Sequence, residues 1–415
     1  MNCFLIGTRL SFSLSPAIHA AFGRYAYGLR QLSPEGLAAF LETADFDGLN
    51  VTMPFKREIL SYLDAVDPNA AAIGAVNTVV CRDGKRIGYN TDYLGLRGLL
   101  DSAGFELRGK RVLILGTGGT SRTARAVAED SGAAAVVRVS RTGREEAMTY
   151  AQAAASCGDF DYLINTTPVG AASNPDDCPI SLAPFSGLHG VADVVYSPLR
   201  TRLVLEAMAR GIPAVGGLEM LVRQAAASCA LFTGTPVPEQ TVRAVCQGLR
   251  GERESVVLIG MPGSGKTTVG RLIAQKCGKQ FVDSDDEVIR LAGASIPEIF
   301  QAEGEAGFRA REAAVLADLA RKSGLVIATG GGAVLDPVNV RRLRQNGRLF
   351  FLDRPLSALT AAADHPLSDT REKLAALYAA RHPIYEASAD RTVSDCSKPE
   401  TAADAVCAMR KEIVP

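Results

Sequence analysis

The sequence of 415 residues has little of what marks secreted, metal-stapled or nucleic-acid-binding chains. Its nine cysteines are scattered, odd in number and never fall into a Cys-x-x-Cys spacing. A disulfide framework is therefore not expected, and free thiols in a reducing compartment fit better. There are four histidines, none in a ligand spacing, so a structural zinc site is not expected either. Lys+Arg and Asp+Glu are balanced at 45 each, which leaves no global field to gather nucleic acid or an anionic membrane. No apolar run approaches the roughly 20 residues of a membrane span. Residues 1–7 lack the charged region and the length of a signal peptide. The expectation is a cytoplasmic chain with small-molecule partners and neither nucleic-acid nor membrane partners; its oligomeric state is open.

What is present is a globular composition, 47% hydrophobic and 22% charged, in a chain too long for one ordinary core. Short β-like runs alternate with helical stretches, the pattern of α/β packing. Residues 3–7 and 48–52 read as strands, and 16–25 and 55–63 as helices. Residues 22–34 look short, so a second strand there is expected to be trimmed. A helix over 92–103 is expected to bridge two lobes. The alternation then becomes regular, with strands at 112–115, 135–140, 162–165 and 191–195 and a returning helix at 218–232. The apolar pattern lapses into Gly-Leu-Arg-Gly-Glu-Arg-Glu-Ser, so 249–255 reads as a linker between residues 1–248 and a unit at 256–415.

Two different phosphate loops punctuate this pattern. Gly116-Thr117-Gly118-Gly119-Thr120-Ser121 follows the apolar run Val112-Leu113-Ile114-Leu115. The backbone N–H groups and positive end of a helix opening there suit a pyrophosphate, although any tight strand–helix turn also favours glycine. The next strand ends in Ser140-Arg141-Thr142, where an acid would serve the ribose hydroxyls of NAD. An arginine instead matches the 2′-phosphate of NADP. The second loop, Gly260-Met261-Pro262-Gly263-Ser264-Gly265-Lys266-Thr267, follows Val256-Val257-Leu258-Ile259 and suits a nucleoside triphosphate with magnesium. A chain with both points to a hydride transfer and a phosphoryl transfer.

Before the first loop lie Ser11-Phe12-Ser13-Leu14-Ser15-Pro16, Asn50-Val51-Thr52-Met53-Pro54-Phe55-Lys56, Gly74-Ala75-Val76-Asn77-Thr78 and Gly88-Tyr89-Asn90-Thr91-Asp92. After it come Asn165-Thr166-Thr167-Pro168-Val169-Gly170, Asp193-Val194-Val195-Tyr196-Ser197-Pro198 and Gly217-Leu218-Glu219-Met220-Leu221-Val222-Arg223-Gln224. This ordered set resembles shikimate dehydrogenase over roughly residues 1–245. The resemblance implies that Lys56 and Asp92 are the catalytic pair, the ammonium stabilising and protonating the oxygen of a ketone that receives hydride. It implies that Ser13 and Ser15 hold a carboxylate, and that Thr52, Asn77, Asp92 and Gln224 hold ring hydroxyls. Tyr196 would lie at the cofactor–substrate junction. NADP would fall to Gly116, Gly118, Gly119, Thr120, Ser140, Arg141, Thr142 and Gly217. Thr120-Ser121 and Ser140-Arg141-Thr142 depart from the family's commoner residues. The implied fold is an α/β substrate lobe (about 1–95 and 218–248) with a Rossmann-type NADP lobe (about 105–217).

After the second loop, Phe281-Val282-Asp283-Ser284-Asp285 places two carboxylates two residues apart, on one face if the segment is a strand. Glu305, Phe308-Arg309, Glu312, Thr329-Gly330-Gly331-Gly332-Ala333 and Arg381-His382-Pro383-Ile384-Tyr385 follow. This set resembles shikimate kinase across about residues 254–415, a P-loop α/β domain like the nucleoside monophosphate kinases. The resemblance implies that Gly263, Ser264, Gly265, Lys266, Thr267 and Thr268 hold ATP, with Lys266 also catalytic, and that Thr267 and Asp283 serve Mg2+. Asp285 would contact ring hydroxyls and take the proton of the attacking one. Arg309 and Arg381 would clamp a carboxylate, and Gly331 and Gly332 would line the ring. Where the family carries an arginine in its lid, this chain has Ala363-Asp364-His365-Pro366-Leu367. A histidine is a poorer phosphate clamp, and nearby Arg371 is the candidate substitute.

The two resemblances converge, because the product of the first reaction, shikimate, is the substrate of the second. The expected cofactors are NADPH, ATP and Mg2+. Two alternatives remain: an NAD-linked quinate/shikimate dehydrogenase fused to a kinase domain, and a ligand-sensing regulator built from shikimate-pathway domains.

Overall fold

The computed structural model describes residues 1–11, 13–23, 25–143, 147–359 and 370–412. The chain divides into two compact units, Met1–Ser197 with Thr201–Gly248, and Pro198–Arg200 with Leu249–Pro415. Among the described residues the strands form three sheets, two in the first unit and one in the second.

The first sheet uses β1 (Asn2–Gly7), β2 (Ala26–Gln31), β3 (Gly48–Val51), β4 (Ala65–Val66), β5 (Thr78–Arg82) and β6 (Lys85–Tyr89), in the order β2-β1-β3-β5-β6-β4. β1 runs parallel to both β2 and β3, so Gly7, Gln31 and the residue after Val51 come to one end of the sheet. β2 is not trimmed: all six of its residues pair with β1, because Phe22 ends its helix and extended backbone resumes at once. The helices of this lobe are α1 (Ser15–Phe22), α2 (Leu37–Thr43), α3 (Pro68–Ile73) and α4 (Thr91–Ser102). The helix expected over 55–63 is only a 3-10 turn at Glu58–Tyr62. Ile59 is drawn into the core beneath β3, and the chain extends again at Leu63.

The second sheet uses β7 (Arg111–Leu115), β8 (Ala135–Ser140), β9 (Met148–Thr149), β10 (Tyr162–Asn165), β11 (Gly190–Asp193) and β12 (Ala214–Val215), all parallel, in the order β12-β11-β10-β7-β8-β9. Covering helices on both faces explain why Val112, Leu113, Ile114 and Leu115 are apolar without alternation. The helices are α5 (Gly119–Asp130), α6 (Tyr150–Ala155), α7 (Arg202–Ala209) and α8 (Leu218–Thr233). α4 buries Leu96, Leu99 and Leu100 against Val112 and Ile114, which makes it the bridge between the two sheets of this unit. α8 packs along it. A Cβ at Gly95 would stand 2.7 Å from the Met220 carbonyl and 2.9 Å from Gln224 Cβ, so only glycine permits this approach.

The segment expected to be a linker is helical: α9 runs Glu239–Arg253, and Ser255 already opens β13. Arg250 and Arg253 in its last turn complement the helix dipole, which is why a charged, glycine-containing stretch stays helical.

The second unit is one parallel sheet, β14-β15-β13-β16-β17, from β13 (Ser255–Ile259), β14 (Gln280–Asp283), β15 (Leu325–Ala328), β16 (Gly347–Leu352) and β17 (Arg391–Val393). Its helices are α10 (Lys266–Cys277), α11 (Ser284–Ala292), α12 (Ile296–Arg321), α13 (Pro337–Asn346), α14 (Arg371–Ser388) and α15 (Pro399–Lys411). α12 opens on a Ser295–Glu298 capping box and breaks at Gly304, where φ is 69°. Among the described residues no helix is long and apolar enough to cross a membrane.

Candidate active sites in two units

In the first unit a cavity of about 580 Å3 opens at the C-terminal ends of β1, β2 and β3. That is where open α/β sheets place ligands. Lys56, in the loop after β3, puts its Nζ 2.6 Å from Asp92 Oδ2. Their side chains are only 19% and 12% exposed, so solvent screens the pair weakly. Asp92 lies in the first turn of α4, where the dipole favours a carboxylate, and Asn90 caps that turn by accepting from the Tyr93 N–H. The other Asp92 oxygen accepts from Asn77 Nδ2 at 2.9 Å.

Asn77 is itself held. Its Oδ1 accepts from the Thr91 N–H at 2.7 Å and from the Thr78 hydroxyl at 3.1 Å. Beneath it, Ser228 Oγ of α8 meets Thr78 and Thr91 hydroxyls at 2.9 and 3.0 Å and accepts from Asn50 Nδ2 at 2.9 Å. Ser13, Ser15, Thr52 and Tyr196 line the same cavity, with Gln224 reaching it from α8. The Ser15 N–H donates to Ser13 Oγ at 3.2 Å, which ties the two serines into one turn. All eight residues expected around the substrate are thus brought together. Asn50 and Thr78 were quoted in the sequence without a role, and Ser228 was not expected, since an isolated Ser on an apolar helix carries no sequence signal.

The residues expected to hold NADP suit it. Gly116 has φ +110°, and a Cβ there would lie 2.9 Å from Thr166 Oγ1. α5 starts at Gly119 with no side-chain cap on Gly118, and nothing lies within 4 Å of a Cβ at either glycine. Bare amide groups over open space are what a pyrophosphate requires. Thr120 and Gly217 line the substrate cavity as well, so the loop and the cavity adjoin. At the end of β8 the buried Ser140 Oγ has no hydrogen-bond partner among the described residues, and Arg141 and Thr142 beside it are exposed. Asp193 closes β11, accepting from Thr201 Oγ1, Asn165 Nδ2 and the Val195 N–H at 2.7, 2.9 and 3.0 Å. Burial raises its pKa to about 6, and it ties together the loops after β10 and β11.

In the second unit the loop after β13 needs its glycines, with φ +75° at Gly263 and +92° at Gly265. Among the described residues, α10 begins at Lys266 with no side-chain cap and the buried Ser264 Oγ has no partner. Lys266 Nζ donates to the Gly260 and Met261 carbonyls, both at 2.9 Å. Burial lowers its pKa to about 8, against the pull of Asp285 and Asp283. Thr267 Oγ1 donates to Asp283 Oδ2 at 2.7 Å, and Thr268 follows exposed on α10. A hydroxyl and a carboxylate beside a phosphate loop fit a magnesium ion that keeps waters and phosphate oxygens as its other ligands.

Asp283 and Asp285 do not share a strand face. Asp283 ends β14 and caps α11, accepting from the Asp285 N–H at 3.1 Å, whereas Asp285 is helical. The turn between them redirects Asp285 to Gly330, where a Cβ would fall 2.6 Å from Asp285 Oδ1 and 2.5 Å from Glu312 Oε1. Both oxygens are buried and lack partners among the described residues. Burial, then Asp283 and Glu312, raise the Asp285 pKa to about 7. Arg309 Nη1 pairs with Glu312 Oε2 at 2.7 Å, and a Cβ at Gly332 would collide with that guanidinium. Arg381 and Tyr385, buried on α14, both donate to the Gly331 carbonyl. Asp285, Arg309, Arg381, Gly331 and Gly332 therefore surround one floor. Glu312 was quoted in the sequence without a role, yet it is the buried counter-charge of Arg309. Arg371 Nη1 is engaged with the Leu359 carbonyl at 3.0 Å. His365 and its neighbours lie outside the described residues.

Comparison with known proteins places the two units in families. Residues 5–79 match the family model of the shikimate dehydrogenase substrate-binding domain, 217–247 that of the shikimate 5′-dehydrogenase C-terminal domain, and 262–410 that of shikimate kinase. The chain is 38% identical over 261 residues to the NADP(+) shikimate dehydrogenase of Moorella thermoacetica, covering 56% of this chain and 88% of that one. For the Clostridium perfringens (strain ATCC 13124) enzyme of the same name the identity is 34%, over 59% and 97%. Among solved structures, shikimate 5-dehydrogenase from Thermus thermophilus in complex with NADP(H) and shikimate gives a TM-score of 0.54 at 31% identity, covering 60% of this chain and 99% of that one. Shikimate dehydrogenase 1 from Peptoclostridium difficile gives 0.56 at 31%, over 60% and 98%. Through its first unit the chain belongs to the shikimate dehydrogenase family, and behind that unit it carries a shikimate kinase domain.

Proposed function

We propose that one chain performs two consecutive reactions on one small cyclohexene acid. It reduces 3-dehydroshikimate to shikimate with NADPH, and it phosphorylates shikimate to shikimate 3-phosphate with MgATP. The observation that carries the reading is the Lys56–Asp92–Asn77 chain, set in a hydroxyl-lined cavity beside a bare helix N-terminus.

NADPH supplies the hydride to the carbonyl carbon. Lys56 stabilises the negative charge that grows on the carbonyl oxygen and delivers the proton it needs. Asp92 keeps that ammonium in place and, with Asn77, offers acceptors and donors to a ring hydroxyl. Ser13 and Ser15 face the carboxylate, and Thr52, Gln224 and Tyr196 close the cavity around the ring. In the second unit ATP with Mg2+ supplies the phosphoryl group. Asp285, with a pKa of about 7, is poised to take the proton of the attacking hydroxyl near neutral pH. Arg309 and Arg381 meet the carboxylate, while Lys266 provides positive charge at the phosphate loop.

The cytoplasm is the compartment we assign, supported by nine free thiols. The test is one pot with 3-dehydroshikimate and NADPH, with and without MgATP. NADPH should disappear in both, and shikimate 3-phosphate should form only with ATP. A purified chain that leaves both coenzymes untouched while binding shikimate tightly would instead be a sensor.

A further inference from the structure

The substrate cavity of the first unit has a charge that the mechanism above does not use. Three charged side chains line it: Arg9, Lys56 and Asp92. Lys56 and Asp92 neutralise one another at 2.6 Å. Arg9 has no ion-pair partner among the described residues, so the lining carries one unbalanced positive charge. Its place is set by the sheet. Arg9 lies two residues beyond the end of β1, and Gly7 at that end pairs in register with Gln31 at the end of β2. Arg9 and Gln31 thus flank the same rim of the cavity as Ser11, Ser13 and Ser15.

A second feature points the same way. α1 starts at Ser15 behind Leu14, whose side chain cannot cap it, and no side-chain cap is present. The Ser15 N–H is taken by Ser13 Oγ and Pro16 has none, which leaves the Ala17 N–H and the positive end of the helix dipole at the serine turn. A guanidinium with no ion pair among the described residues, the positive end of a helix dipole and a serine pair make this stretch of the lining a region for an anion. The Lys56–Asp92 pair adds no net charge to that lining.

We propose that Arg9 is a specificity-determining residue of the reductase, binding the carboxylate end of the substrate together with Ser13 and Ser15 and selecting acids over neutral rings. This rests on the dehydrogenase reading. Arg9 is exposed, so its contribution is screened by salt and is modest compared with that of a buried pair.

The experiment compares the full chain with its Arg9→Ala, Arg9→Gln and Arg9→Lys variants. NADP+-dependent oxidation of shikimate and of its methyl ester is followed from low to high ionic strength. For the unaltered chain the acid should be preferred, and that preference should shrink with salt. In Arg9→Ala and Arg9→Gln, kcat/KM for shikimate should fall on the order of tenfold, mostly through KM, with little change for the ester. Arg9→Lys should recover most of the loss, because charge rather than the fork carries the selection. Equal losses for acid and ester, or an unchanged acid-to-ester ratio and salt slope, would overturn the role of Arg9. If the unaltered chain oxidises neither compound, it is the dehydrogenase reading that fails.

Discussion

The two catalytic centres treat their lysines in opposite ways. In the reductase unit Lys56 is already paired with Asp92, and Asp92 with Asn77, in a network whose members satisfy one another. In the kinase unit Lys266 is turned back onto two loop carbonyls, and Asp285 Oδ1, Glu312 Oε1 and Ser264 Oγ are buried without partners among the described residues. The first site is complete before substrate arrives. The second leaves polar atoms whose desolvation is offset only when a ligand reaches them. The chemistry accounts for the contrast. A proton donor for a ketone must hold its charge and position throughout, whereas phosphoryl transfer brings its own anion and metal.

The sharpest way to break this comparison is Lys56→Ala. Removing the proposed proton donor should lower kcat for reduction by about 10²–10⁴-fold and leave ATP-dependent phosphorylation of added shikimate intact. Lys266→Ala should do the reverse, costing the kinase about 10²–10³-fold while NADPH consumption continues. Coupled assays on each variant decide both, and loss of both activities in either variant would mean the units are not independent. Arg141→Ala should raise KM for NADPH by about 10–100-fold and leave NADH kinetics nearly unchanged, the size of a lost charge-assisted contact.

Two smaller effects address the networks themselves. Ser228→Ala strands partners of Asn50, Thr78 and Thr91, and should cost about 1–3 kcal/mol of stability by denaturant unfolding. Ser228→Thr should not reproduce the alanine pattern if the hydroxyl is what matters. Asp285 tests the strained site by pH. Its folded pKa of about 7 lies above the ordinary 3.8, so between those values the folded state holds a proton that the unfolded state has lost. That contribution falls as pH rises from about 4 to about 7 and then stays level. Asp285→Asn carries no such term. Its melting temperature relative to the unaltered chain should rise between pH 5 and pH 8, by the equivalent of about 2–3 kcal/mol. A constant difference would show that Asp285 ionises freely.

Much of this molecule is legible in short windows of sequence. The apolar run 112–115 followed by glycines, and the run 256–259 followed by the Lys266 loop, each identify a strand, a turn and a helix start within about a dozen residues. Those windows work because glycine conformation and helix ends are local matters. The misreadings also have local causes. Asp283-Ser284-Asp285 reads as a strand end because two acids at spacing two fit an extended chain, but Asp283 also caps a helix, and the cap prevails. The charged stretch after Gln247 reads as a break, yet its arginines favour the end of α9.

The chain's own letters were enough to point to which chemistries are present, because each phosphate loop, with its glycines and, in the second, Lys266, is contiguous. They could not establish how those chemistries are tuned. Lys56 meets Asp92 across 36 positions, and Ser228 meets Asn50 across 178. Such meetings exist only after β3, α4 and α8 have packed, and Gly95 is what lets the two helices close. The raised pKa of Asp285 and the lowered one of Lys266 arise from burial, which no stretch of sequence possesses until the fold removes its water.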